Sequence, residues 1–181
     1  FAVGTTYSKT ETVQAAVFGI VILGDPLTAG AMVAILISFI GVLAISAATQ
    51  ATGISGIVRS LTSRTAMIGL ASGACFGISA VSYRAASLSL GGEGFLIQAG
   101  FTLGCVTIMQ TVAMAGYMRI RDPGQITAAL RNWTVAGIVG LSGMAASACW
   151  FTAMTIQNAA YVRALGQIEL VFTFAASYLF F

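Results

Sequence analysis

The chain has 181 residues, 58% of them hydrophobic and only 7% charged, with a formal net charge of +3 and no histidine. A soluble domain carries about a quarter charged residues, so this composition excludes an ordinary water-facing surface and points to lipid as the solvent. The missing histidine excludes any mechanism that draws a histidine base or metal ligand from this chain. The small basic excess, eight Lys or Arg against five Asp or Glu, speaks of loop topology and not of nucleic-acid binding.

A membrane helix needs about 20 apolar residues, and six runs approach that length: 7–23, 29–48, 65–86, 95–117, 134–156 and 159–181. Strands of a membrane barrel would be about 10 residues of alternating polarity. These runs are longer and do not alternate, so an all-α polytopic bundle of six transmembrane helices is expected. The first connector, Gly24-Asp25-Pro26-Leu27-Thr28, is a turn in which Thr28 can cap the next helix. The second, 49–64, is rich in Gly, Ser and Thr and holds Arg59 and Arg64. The third, 87–94, contains Gly91-Gly92-Glu93-Gly94. The fourth, 118–133, carries Arg119, Arg121, Asp122, Pro123 and Arg131, and its Gln125–Leu130 portion suits a short interfacial helix. The fifth is a turn at Gln157-Asn158. The chain opens on Phe1 with no basic stretch ahead of an apolar one, and it stops at Phe180-Phe181 inside an apolar run. We expect a piece of a longer protein.

Charge follows the connectors. The second and fourth share one side of the membrane and hold five Arg and one Asp; the others hold only Asp25 and Glu93. The positive-inside rule places 49–64 and 118–133 in the cytoplasm. Cys75, Cys105 and Cys149 each sit in an apolar run without CxxC spacing, which fits small core residues and neither a metal nor a redox site.

Aligning Tyr7 on Tyr161 also brings Lys9 onto Arg163, Val17 onto Val171 and Phe18 onto Phe172. The two segments are five helices apart and so cross in opposite directions. Inverted repeats of this kind recur in secondary transporters, with the solute held at the repeat interface. The repeat reading divides the chain into 1–48, the end of a first repeat, 49–64, the inter-repeat loop, and 65–181, most of a second.

The residues Gln14-Ala15-Ala16-Val17-Phe18, Leu23-Gly24-Asp25-Pro26-Leu27-Thr28 and Gly41-Val42-Leu43 resemble the end of an EamA-type domain of the drug/metabolite transporter superfamily. Asp25 stands where Glu is commoner. Ala159–Phe181, with Ala164-Leu165-Gly166-Gln167-Ile168-Glu169, looks like the corresponding helix of a second domain. The resemblance implies ten helices in two five-helix inverted repeats, of which this chain would hold the last two of one and the first four of the other. The family is commonly drawn with both termini cytoplasmic. That sets 49–64 outside, against the arginine count, and leaves orientation open.

Lys9, Glu11, Arg84, Arg163 and Glu169 fall within or at the edge of apolar runs. A charge at the bilayer centre costs about 2.5–3.5 kcal/mol or more, so it faces a cavity or a partner. Glu169 lies about 15 Å into its segment at helical rise, near the midplane, and is expected to face the bundle interior beside Arg84, Trp150 or the first segment. It serves either solute or proton handling or a pairing with a buried base. The others are shallower, where long basic side chains reach the interface. Tyr7, Glu11, Gln14 and Phe18 share one helix face, as do Arg163 and Gln167. Such stripes line a water-filled path or join helices by hydrogen bonds. Gly69, Gly73 and Gly77, and again Gly100 and Gly104, repeat at four-residue spacing, which lets helices approach closely. Arg84, about 20° off the Gly73 face, is expected to point into the bundle. Trp133 suits an interfacial position, and deeper Trp150 suits a cavity wall.

Two patterns carry nothing. Gly140-Leu141-Ser142-Gly143 matches the GxSG of intramembrane serine proteases, but that serine needs a histidine base. Gly24-Asp25 matches the GD of intramembrane aspartyl proteases, but Asp25 sits in a turn and no second intramembrane Asp exists. The expectation is a permease, not an enzyme, in the inner membrane of a bacterium. It needs no cofactor and moves a small metabolite or drug-like solute by alternating access, driven by a proton, ion or solute gradient. Its partners are that solute and the bilayer. The alternative is a membrane scaffold or assembly subunit.

Overall fold

The computed structural model describes residues 7–49, 63–92 and 94–180, the side chains of 42–49, 170, 171, 173, 174, 177 and 180 aside. Most of the 49–64 connector, Arg59 included, and Glu93 therefore lie outside the described residues. Those described are helical, with no strand among them. Helix α1 (Glu11–Phe18) runs into a π-helical turn (Gly19–Leu23). It is followed by α2 (Ala29–Thr49), α3 (Arg64–Ser89), α4 (Phe95–Arg121), α5 (Gln125–Arg131), α6 (Trp133–Ile156), α7 (Ala159–Gly166) and α8 (Glu169–Phe180).

Helices α3, α4 and α6 have 26, 27 and 24 residues. At 1.5 Å per residue each exceeds the roughly 30 Å hydrocarbon core, and all three are apolar enough to cross it. The chain is thus a helical integral membrane protein. Their bounds fall within a few residues of the runs read from the sequence. The largest difference is at the end of α4, expected near 117. There the helix continues to Arg121 because Arg119 and Arg121 stand in its last turn, where cations oppose the negative end of the helix dipole.

Two expected helices are interrupted. The first segment widens at Gly19 and closes on Gly24, whose φ of 66° is left-handed. Gly24 N–H donates to Ile20 O at 3.0 Å and Asp25 N–H to Gly19 O at 3.2 Å. This is a glycine-closed C-terminus, a backbone that a side chain at position 24 would strain. The sixth segment breaks after Gly166. Gln167 N–H donates to Ala164 O and Ile168 N–H to Leu165 O, at 3.2 and 3.1 Å, a three-residue spacing that tightens the last turn. Glycine's poor helix propensity favours a break at that place, and Glu169 opens α8.

The chain forms two compact units, residues 1–85 with 157–181, and residues 86–156. In the first, α3 lies directly on α1. A Cβ built on Gly73 would stand 2.9 Å from Ser8 O, and one on Gly77 would stand 3.0 Å from Ala15 N. Only glycine permits that approach. Gly69 is buried on the same stripe, and Ala15 and Ala16 supply small surfaces on the facing helix. Ala16, Ile35 and Ala160 form a buried cluster joining α1, α2 and α7. In the second unit α4 packs on α6, and the Ser87 and Thr155 hydroxyls share a buried hydrogen bond of 2.7 Å. A Cβ on Gly100 or Gly104 would meet nothing among the described residues within 4 Å.

Candidate functional site

The polar side chains of the first unit lie along the seam between α1 and the broken sixth segment. Lys9 pairs with Glu169. Arg163 Nη1 donates to Glu11 Oε1 at 3.5 Å, and Gln167 Nε2 donates to Thr12 Oγ1 at 3.3 Å. At the far end, Gly19 lies beside the Asn158 side chain. Lys9 with Glu169 marks one end of the seam and Gly19 with Asn158 the other, so the two segments run antiparallel. Tyr7 and Tyr161 accordingly sit at opposite ends of the pair. Any two spans five apart in an alternating bundle do the same, so this order is compatible with an inverted repeat without requiring one.

Each segment gives the seam one acid and one base. Glu11 and Arg163 are deep, with side chains 11% and 17% exposed, and the Arg163 guanidinium lies 5.9 Å from the Phe76 ring centroid, within cation–π range. Glu11 therefore stands where α1, α3 and α7 meet. Gln14 turns toward α3, its Nε2 donating to Thr10 Oγ1 at 2.9 Å and to Leu70 O at 3.3 Å. Tyr7 is buried, and Phe18 packs at Gly77. In this structure the Tyr7–Glu11–Gln14–Phe18 stripe joins helices. Two acceptors, Gln14 Oε1 and Gln167 Oε1, are buried without a hydrogen-bond partner among the described residues.

Glu169 differs from its expected setting. Its carboxylate meets Lys9 of the first segment, but its side chain is 56% exposed. The break at Gly166–Ile168 places it at the N-terminus of α8, where the helix dipole favours an anion. Trp150, expected near it, is partly buried on α6 in the second unit.

Arg84 is largely buried, as expected, but its partners are in the turns. Its Nε and Nη2 donate to the two Asp25 carboxylate oxygens at 2.7 and 3.4 Å, and its Nη1 to Gln157 O at 2.8 Å. The Tyr161 hydroxyl lies 2.6 Å from Thr28 Oγ1 and accepts from Thr28 N–H at 3.2 Å. Thr28 Oγ1 also accepts from Ala31 N–H at 3.3 Å, capping α2, and Asn158 Oδ1 caps α7 through Ala160 N–H at 2.9 Å. The first and fifth connectors are thereby clasped around a cleft of about 540 Å³, lined by Asp25, Pro26, Thr28, Arg84, Gln157, Asn158 and Tyr161. Sequence reading missed Asp25, Thr28, Gln157, Asn158 and Tyr161 as members of one site. The available signal was topological: the first and fifth connectors and the end of the third segment share a membrane face.

The described residues contain no group of three or more His, Cys, Asp or Glu that could hold a metal. The arrangement offers buried charge pairs, amide acceptors and hydroxyls, a set able to bind a polar solute or pass a proton. No protein-family model, curated protein or solved structure matches this chain.

Proposed function

We propose that this chain is part of a secondary transporter that moves a small metabolite or drug-like solute by alternating access. The observation that carries the reading is the seam of α1 with the broken α7–α8 segment, where four ionisable side chains from two apolar segments pair crosswise. Ionisable groups among apolar helices mark solute, ion and proton pathways. Discontinuous helices at repeat interfaces are where secondary transporters build such sites. The reading includes the EamA-type resemblance, six membrane segments of a ten-helix inverted repeat, a non-enzymatic role and the inner membrane of a bacterium. Proton or ion coupling through Glu11 or Glu169 belongs to it too.

A membrane scaffold is the alternative, favoured by the mutual pairing of the same charges, which are all engaged with one another. Flux separates the two. Proteoliposomes holding the complete protein and an entrapped pH-sensitive dye are challenged with a panel of small metabolites. A transporter gives a saturable, solute-dependent signal that Glu11→Gln and Glu169→Gln reduce at unchanged insertion. A scaffold gives no signal with any solute.

A further inference from the structure

The bonds that close the first and fifth connectors on each other are polar and come from three parts of the chain. Asp25 and Thr28 belong to the first connector, Arg84 to the end of α3, and Gln157 and Tyr161 to the approach and first turn of α7. All lie in the first compact unit. When both partners of such a bond pass into water together, the net cost is small, and here the groups already line a cleft of about 540 Å³. Leu27, between Asp25 and Thr28, packs against the buried Ala16–Ile35–Ala160 cluster. Arg163 follows Asn158 by five residues, about 8 Å at helical rise, so the charged seam begins directly behind the cleft. On the α1 side, the π-helical turn Gly19–Leu23 with left-handed Gly24 separates the seam from the first connector. Turns of that kind mark functional positions in helices, and hinges are a few element-terminal residues that absorb backbone rotation.

We propose that the Asp25–Arg84–Gln157 and Thr28–Tyr161 bonds form a reversible latch that closes this end of the α1 seam with α7, with Gly19–Gly24 as its hinge. Opening exchanges these bonds for water, swings the first connector away from α7, lifts Leu27 off its cluster and uncovers Ala160. The purpose of the latch rests on the transport reading, in which a solute site is closed at one membrane face while it is open at the other. The opening itself needs no solute.

Thiol labelling is the test. In the complete protein with Cys75, Cys105 and Cys149 changed to Ala, a single reporter is introduced as Ala160→Cys or as Ala66→Cys. Both positions are 0% exposed, and Ala66 lies about 27 Å along α3 from Arg84 at helical rise. The detergent-solubilised protein is treated with a water-soluble maleimide. With the latch intact, both reporters should label slowly. Asp25→Asn should speed labelling of Ala160→Cys about tenfold, the shift for losing one charge-assisted hydrogen bond, and the milder Tyr161→Phe about fivefold. Neither should change Ala66→Cys. Unchanged labelling of Ala160→Cys in the two variants overturns the latch. Equal acceleration at both reporters is general unfolding and overturns it too. Acceleration at Ala160→Cys alone, in a protein that passes no solute in the proteoliposome assay, upholds the latch and removes the transport reading. Solute flux with unchanged labelling does the reverse.

Discussion

The most apolar 18-residue stretches of α3 and α6 share the same mean hydropathy, yet 33% of that stretch is buried in α3 and only 6% in α6. Mean hydropathy states that a helix can cross a bilayer; it does not state what it packs against. The difference comes from particular residues. Helix α3 carries Gly73 and Gly77, which admit the α1 backbone, and Arg84, which ties down two turns. Helix α6 has glycines too, but a Cβ on Gly137, Gly140 or Gly143 would meet nothing among the described residues within 4 Å. Small residues permit close packing, and polar partners decide whether it happens.

Four substitutions sharpen this contrast, each read as unfolding free energy of the detergent-solubilised protein. Arg84→Ala leaves the Asp25 carboxylate buried without its base, and breaking a buried pair from one side costs about 3–5 kcal/mol. The lower end applies here, since both side chains keep some exposure (13% and 16%). Gly73→Leu forces α1 off α3 and should cost about 3 kcal/mol, the upper range for overpacking. Lys9→Ala removes a partly exposed pair and should cost about 1 kcal/mol or less. Gly140→Ala in α6 should be neutral or slightly stabilising, because alanine is the better helix former by about 1 kcal/mol. A Gly140→Ala cost equal to that of Gly73→Leu would break the comparison.

The sequence made the helices legible because membrane spans announce themselves by length and lack of charge. The bounds of α2 to α6 follow from that signal, and so does the short α5 between flanking turns. The interruptions were harder to read. Gly166 looks like any small residue in an apolar run. The break depends on three-residue hydrogen bonds that composition does not encode, and it changes the surroundings of Glu169 from a uniform helix to a helix start. Pairing partners were half legible. Five ionisable residues among apolar helices must find partners, but Glu169, not Asp25, was expected beside Arg84, although membrane-side parity sets Asp25 and Arg84 on the same face. Which acid meets Lys9 and which meets Arg163 depends on how α1 and α7 are rotated about their axes, which a weak amphipathic signal does not fix.

The proposed transport role requires the α1 seam with the α7–α8 segment to open for solute to pass. Thr12 and Gln167, joined at 3.3 Å across it, allow a direct measurement. In a protein with Cys75, Cys105 and Cys149 changed to Ala, the pair Thr12→Cys and Gln167→Cys is oxidised to a disulfide and then reduced, and solute flux into proteoliposomes is followed in both states. Under the proposed role, flux stops in the oxidised protein and returns on reduction. Equal flux before and after verified cross-linking would contradict it.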